Sequence, residues 1–206
     1  MSNLIYASVN GKKQGLISAG CSSLNSIGNR CQAGHEDQIQ VLSLNHSISR
    51  QQNVAHHPVH FVKPIDKSSP LLGVAISENE RINVVFYFYR VNSAGQLELY
   101  YEVKLTDASI VDITSVYPHS IDNNEMIPYE KIQLKYKSIA WDHKSAGTSG
   151  YSVWEDRVYS FLISSTLFQV CLNIFIFFNW LVYQNYFGRS KRRLTMDIAL
   201  YLLRIH

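Results

Sequence analysis

The chain has 206 residues, 46% of them hydrophobic and 12% aromatic, which suits one globular domain with an additional segment. Its formal charge of +3 lies at the end of the chain, because the last 18 residues carry five basic side chains against Asp197. This segment has a balance of +4, so the rest of the chain is near −1. The five basic residues are Arg189, Lys191, Arg192, Arg193 and Arg204. A body without basic excess excludes the charge pattern of a nucleic-acid-binding protein.

The three cysteines, Cys21, Cys31 and Cys171, have no CxxC spacing. An odd count without that spacing argues against a disulfide framework and against a structural zinc site. We therefore expect free thiols in a cytoplasmic chain. The first 15 residues lack a basic stretch followed by an apolar one, so no signal peptide is expected and any export would be leaderless.

The first half of the chain alternates strand-like and polar segments. Residues 3–10 predict a strand followed by a glycine-bracketed turn at 11–15, and the Ser- and Asn-rich residues 16–35 predict a loop. Residues 38–49 alternate without a clean polar face, which favours a strand in a closed barrel or at a subunit interface. Residues 50–58 predict a polar, histidine-rich loop.

A second strand-like run at 59–65 precedes the one clear helix of the body. Ser69 is the predicted N-cap of this helix, and Pro70 occupies the first helical position, where its missing N–H has no cost. Residues 78–80 allow the helix to end. Apolar side chains recur at helical spacing at Leu71, Leu72, Ala75 and Ile76.

Four further strands are predicted after the helix. Residues 81–91 are apolar on both faces and lead through a turn at 92–95 into strands at 97–105 and 108–117. After a polar loop at 118–128, the next strand follows.

That last predicted strand, residues 130–142, alternates cleanly. Ile132, Leu134 and Tyr136 lie on one face, and lysines lie on the other. Many short strands with a single helix predict a mainly β fold, a two-sheet antiparallel barrel or sandwich that ends near residues 146–150.

The body offers no catalytic, cofactor-binding or metal-binding pattern, so we do not expect an enzyme. His46, His56, His57 and His60 suggest a metal site, but no carboxylate lies nearby at ligand spacing, and a histidine-rich polar loop is the simpler interpretation. No G-x-S-x-G turn or phosphate-binding glycine loop is present. The aromatic strands are compatible with a covered core or with an oligomer interface, as at Tyr87, Tyr89, Tyr100 and Tyr101.

An ordered set of segments resembles the Hcp family of type VI secretion tube proteins across residues 2–157. These segments are residues 14–23 (QGLISAGCSS), 46–52 (HSISRQQ), 63–72 (KPIDKSSPLL), 88–90 (FYR), 117–120 (YPHS) and 146–155 (AGTSGYSVWE). The resemblance implies a two-sheet β-barrel with one helix, whose copies assemble into hexameric rings that stack into a tube. It implies sheath, spike and baseplate proteins as partners, effector cargo in the lumen, and synthesis in the bacterial cytoplasm before leaderless secretion.

In the family, a long loop after an early strand reaches the neighbouring ring. The resemblance places this ring-stacking loop at residues 47–58. Its candidate residues are Ser47, Arg50, Gln51, Gln52, His56 and Pro58.

The extension at 158–206 does not fit this family pattern. Residues 161–183 form an apolar segment long enough for a transmembrane helix, and the basic cluster at 189–193 follows it. Residues 194–205 are compatible with a short amphipathic helix on a membrane surface. Three interpretations remain open: a membrane-active effector module, the remnant of a longer extension, and a membrane anchor or ordinary buried helix.

Overall fold

The computed structural model describes residues 3–122 and 125–154, and antiparallel strands dominate this part of the chain. The mainly β prediction is confirmed, but two short α-helices are present where one was predicted. The strands are β1 (Leu4–Gly11), β2 (Gly15–Leu16), β3 (Ile39–Val41), β4 (Ser43–Asn45), β5 (Ile48–Arg50), β6 (Val54–His56), β7 (Val59–Pro64), β8 (Ile82–Val91), β9 (Leu97–Val116), β10 (Tyr129–Lys135), β11 (Ser138–His143) and β12 (Thr148–Val153). The helices are α1 (Leu24–Ile27), a 3-10 turn at Gly28–Arg30, and α2 (Ser68–Ser77).

The strand order closes on itself. β1 pairs with β8, followed in space by β9, β10, β7 and β4, while β3 returns to pair with β1. β3 and β4 are separated by Leu42, whose backbone N–H donates to the Val62 carbonyl oxygen at 2.7 Å. This short path carries the chain from one sheet to the other and closes a barrel. The single strand predicted over 38–49 is therefore wrong, because the chain there divides into β3, β4 and β5.

β9 forms the second corner of the barrel and corrects the prediction of two separate strands at 97–105 and 108–117. Its first part pairs with β8 and β11, and its last part pairs with β10. The change occurs at Asp107, which has a positive φ of 52°. Asp tolerates this conformation, and its N–H donates to Asn83 Oδ1 at 3.0 Å. The backbone therefore bends there without ending the strand.

The predicted strand at 130–142 is broken into β10 and β11. The break falls at Tyr136 and Lys137, where the Lys137 N–H donates to the Thr106 carbonyl oxygen. The predicted faces are nevertheless confirmed, because Ile132, Leu134 and Tyr136 are buried. The lysines at 131, 135 and 137 are exposed.

The segment predicted as a loop at 16–35 contains α1 and covers the outer side of β1. The ring of Tyr6 stacks on the ring of His35, with centroids 4.1 Å apart and planes 3° apart. The Tyr6 hydroxyl donates to Gln32 Oε1 at 2.6 Å. Tyr89 of β8 packs edge-on against both rings. Intramolecular cover thus accounts for the apolar outer face of β1 and β8 at this point.

α2 begins one residue before the predicted N-cap. The N-cap position is occupied by Lys67, whose side chain makes no capping hydrogen bond, so the N-cap predicted at Ser69 is wrong and Pro70 is the third helical residue. Asp66 Oδ1 accepts the N–H of Ser68, the first helical residue, at 2.8 Å. The Ser69 hydroxyl instead donates to Glu130 Oε2 at 2.8 Å. Lys63 Nζ lies 2.9 Å from Asp66 Oδ1 and 3.0 Å from Glu130 Oε2. We call Lys63, Asp66, Ser69 and Glu130 the helix anchor.

Candidate interaction site

β5 and β6 form a hairpin in a two-stranded sheet of their own. The register pairs Ile48 with His56 and Arg50 with Val54, and the turn occupies 51–53. The ladder partners of both strands in the described part of the chain lie within this hairpin. The polar loop predicted at 50–58 was therefore wrong at Arg50 and over Val54–His56, which belong to β5 and β6.

The hairpin exposes most of the predicted ring-stacking residues. Ser47, Arg50, Gln51 and Gln52 are exposed, Pro58 is half-buried, and His56 is buried. The hairpin also exposes two apolar side chains that sequence reasoning did not single out, Ile48 at 40% and Val54 at 46%. The sequence did contain an indication of this exposure. Both residues lie in short runs of polar residues, where an apolar side chain has few apolar neighbours to cover it.

One phenol holds both legs of the hairpin to the barrel. The Tyr136 hydroxyl lies 2.7 Å from His46 Nε2, just before β5, and 2.9 Å from His56 Nδ1, at the end of β6. His56 Nε2 lies 3.0 Å from the Ser152 hydroxyl on β12. The Trp154 ring packs against both His56 and Tyr136. We call His46, His56, Tyr136, Ser152 and Trp154 the hairpin anchor.

The surroundings of the hairpin anchor favour neutral side chains. Burial lowers the pKa of both His46 and His56, and the nearby imidazole of His57 lowers both further. Burial also raises the pKa of Tyr136 to about 12. The anchor therefore consists of uncharged groups at neutral pH, and it acts through hydrogen bonds and aromatic packing.

The histidines do not converge as a metal site would require. His57 is exposed and pairs with the Ser49 hydroxyl at 3.1 Å, while His60 is exposed on β7. Over residues 3–122 and 125–154, no three His, Cys, Asp or Glu side chains are grouped closely enough to hold an ion. The arrangement instead suits a surface for protein contact, in which the histidines and Tyr136 hold the hairpin in place.

The predicted apolar helix at 161–183, the basic cluster at 189–193 and the amphipathic segment at 194–205 lie outside the described residues. Among the helices that the structure describes, none combines the length and the apolar character needed to cross a membrane.

Comparison with known proteins identifies the family. A family model described as "Type VI secretion system effector, Hcp" matches residues 6–143. The Major exported protein of Pseudomonas aeruginosa is 38% identical over 171 residues, and the match covers 77% of this chain and 99% of that protein. The chain belongs to the Hcp family. The resemblance found in the sequence is therefore confirmed.

Two further Hcp-like matches define how far the similarity extends. The solved structure of the secreted protein Hcp3 from P. aeruginosa is 40% identical, with a TM-score of 0.68, and covers 75% of this chain and 100% of that chain. The Escherichia coli protein YhhZ is 41% identical over 149 residues, covering 72% of this chain but 37% of YhhZ. Most of YhhZ therefore lies outside the part that this Hcp chain matches.

Proposed function

We propose that this Hcp chain is a structural subunit of a type VI secretion tube, in which six copies form a ring and the rings stack. Family membership carries the proposal, since the match covers nearly the whole length of an exported relative. The closed barrel and the covered outer face of β1 supply a rigid body for such a subunit. A ring needs two different complementary surfaces on each copy. Stacking of rings needs a further surface that faces along the tube axis.

We assign that axial contact to the β5–β6 hairpin. The hairpin forms a two-stranded sheet of its own, and Ile48 and Val54 leave apolar surface exposed. Apolar surface of this kind is stabilised when a second protein covers it. Ser47, Arg50, Gln51 and Gln52 surround it with polar groups, as the rim of an interface requires.

The test uses the full chain and the double variant I48S/V54S. Wild-type chains should give a ring mass of about 142 kDa, six times 23.6 kDa, in native mass spectrometry, and stacked rings in negative-stain images. The double variant should keep the ring mass and lose stacking, because it changes the hairpin alone. The matched control is L97S, since Leu97 is similarly exposed at 45% but lies at the start of β9. Monomers in the wild type, or equal loss of stacking in L97S, would contradict the proposal.

The tube role implies partners and a location for the chain. We propose contact with sheath, spike and baseplate proteins, carriage of effector cargo in the lumen, and leaderless secretion from the cytoplasm. The role is structural and needs no enzyme activity, cofactor or nucleic acid. Secretion that continued unchanged after deletion of the system's sheath gene would contradict this assignment.

A second proposal concerns the chain beyond the barrel. We propose two modules, the barrel at 1–157 and an extension at 158–206 that acts on membranes as an effector segment or survives as its remnant. The apolar run at 161–183 followed by basic residues at 189–193 supports it. YhhZ, a longer protein with an Hcp-like part, is a second support.

Directed expression of the extension separates the alternatives. Residues 158–206 exported to the periplasm should depolarise cells if the extension is membrane-active. The control carries three charged substitutions, at Ile174, Phe175 and Ile176, which interrupt the apolar run. No depolarisation by the unmodified segment would favour the remnant. Fractionation of the full chain and the 1–157 fragment tests whether 161–183 contacts a membrane.

A further inference from the structure

The hairpin anchor depends on a specific distribution of protons. A phenol hydroxyl donates one hydrogen bond, and its oxygen can accept others. Tyr136 lies within hydrogen-bond distance of His46 Nε2 and His56 Nδ1. Tyr136 can donate its proton only if one of these two nitrogens is unprotonated and can accept it. The anchor is therefore satisfied when at least one histidine is neutral.

The groups around the two histidines offer no compensation for positive charge. His57 follows His56 on the hairpin, and Lys135 Nζ lies 5.6 Å from the Trp154 ring centroid. Tyr136, Ser152 and the aromatic rings are the other facing groups, and all are neutral at physiological pH. In the described residues neither histidine forms an ion pair with a carboxylate. His119, 3.1 Å from Asp122 Oδ2, shows the contrasting arrangement.

We propose that the hairpin anchor is a pH-sensitive latch, which holds the β5–β6 hairpin against the barrel while His46 and His56 are neutral and releases it when both are protonated. Two imidazolium rings on one phenol would leave the Tyr136 proton without an acceptor. They would also place two like charges beside the aromatic rings, with His56 buried and His46 half-buried. Because His46 and His56 flank the hairpin, both legs lose their attachment together.

The direction of the pH effect follows from proton binding. Burial lowers the pKa of both histidines in the folded chain, so the unfolded or released state binds more protons below the ordinary histidine value of about 6.5. Above that pH, the two histidines contribute fully to the stability of the closed latch. This contribution falls as the pH drops through the lowered values.

Hydrogen–deuterium exchange of the full chain tests the latch directly. Protection factors, normalised to the intrinsic exchange rate at each pH, are measured at pH 7.5 and pH 5.5. We expect protection of hairpin amides at 48–56 to fall about tenfold at the lower pH, while protection in β8 stays constant. Constant protection of the hairpin across this range would overturn the proposal.

Matched variants separate the latch from general acid sensitivity. In H46Q/H56Q the side chains keep hydrogen-bonding capacity but cannot gain charge, so hairpin protection should become independent of pH. H60Q removes an exposed histidine outside the anchor and should keep the wild-type response. A wild-type response in H46Q/H56Q, or its loss in H60Q, would contradict the assignment.

A second measurement keeps the test decisive if H46Q/H56Q fails to fold. Histidine Cε1 proton shifts of the wild-type chain give a titration midpoint for each ring. The midpoints of His46 and His56 should coincide with the loss of hairpin protection, and coincidence with His60 or His119 alone would overturn the latch.

At acid pH, release of the hairpin should separate stacked rings into single rings. This consequence rests on the proposed function. The two proposals fail separately. Hairpin exchange that depends on pH without stacked rings would refute the axial contact alone, and stacked rings with pH-independent exchange would refute the latch alone.

Discussion

Substitution of Lys63 by Met tests whether the helix anchor stabilises the barrel. Lys63 is fully buried, and its Nζ contacts Asp66 Oδ1, Glu130 Oε2, the Ser69 hydroxyl and the Pro64 carbonyl oxygen, all between 2.9 and 3.0 Å. Met preserves most of the apolar stem but removes the charge and the donors. The variant then leaves two carboxylates beneath α2 without their cation.

The expected loss is large because the pair is buried. The side chains of Lys63, Asp66 and Glu130 are 0%, 1% and 8% exposed. Removing one partner of a buried ion pair costs about 3–5 kcal/mol. Lys13 and Glu78, 65% and 50% exposed, form a surface pair at 2.8 Å, and solvent screening makes such exposed pairs contribute little to stability. K13M is therefore the matched control.

Urea unfolding at one fixed protein concentration measures the difference, since assembly adds stability that depends on concentration. With a slope of about 2 kcal/mol per molar urea, K63M should lower the midpoint by about 2 M. K13M should shift it by less than about 0.5 M. The triple variant K63M/D66N/E130Q should recover part of the loss, because it removes the stranded charges. A K63M shift no larger than that of K13M would refute the reasoning.

Three further predictions concern other buried contacts. A Cβ at Gly11 would collide with Glu80 Oε1, which accepts the Lys13 and Gln14 backbone N–H groups. G11A should therefore lower the free energy of unfolding in urea by about 1–3 kcal/mol, and an unchanged value would contradict this. Burial raises the pKa of Tyr136 to about 12. Ultraviolet titration should show a late-ionising phenol that is lost in Y136F, and stability should fall as the pH rises from 10 to 12. Burial raises the pKa of the Cys21 thiol to about 11, whereas Cys31 is exposed. In a C171S variant, a disulfide reagent should modify Cys31 much faster than Cys21. Equal rates would contradict the burial of Cys21.

The sequence predicted those features that depend on neighbouring residues. The alternation through Ile132, Leu134 and Tyr136 identified the buried face of β10, and the Ser-Pro pair located α2 to within a residue or two. Both anchors escaped prediction because their partners are distant in the chain. Tyr136 lies 90 residues after His46, and Glu130 lies 61 residues after Ser69. No local spacing reports such pairs.

The bend in β9 and the packing around Tyr89 escaped prediction for a related reason. On sequence alone, Asp107 is typical of a turn between two strands. In the fold, Asn83 on the paired strand β8 accepts its N–H, and the strand continues. Tyr89 was compatible with a core or an interface on sequence alone, and in the fold the rings of Tyr6 and His35 pack against it. Both outcomes depend on where a second segment lies in the folded barrel, and local patterns carry little of that information.

β10 connects the two anchors. Glu130, Ile132 and Leu134 lie on one buried face of the strand, and Tyr136 continues that face just beyond its end. The helix anchor therefore sits near one end of this strand, and the hairpin anchor sits at the other, about 20 Å away at 3.3 Å per residue.

A slip of β10 by one residue would turn Lys131 and Lys135 inward and would break both anchors at once. A bulge lies opposite Gln133 and Leu134, and Val111 of β9 is its extra residue. This bulge fixes the register between β9 and β10. We therefore expect deletion of Val111 to weaken α2 and the hairpin together. Hydrogen exchange should show lower protection in both elements, and a loss confined to one element would contradict this coupling.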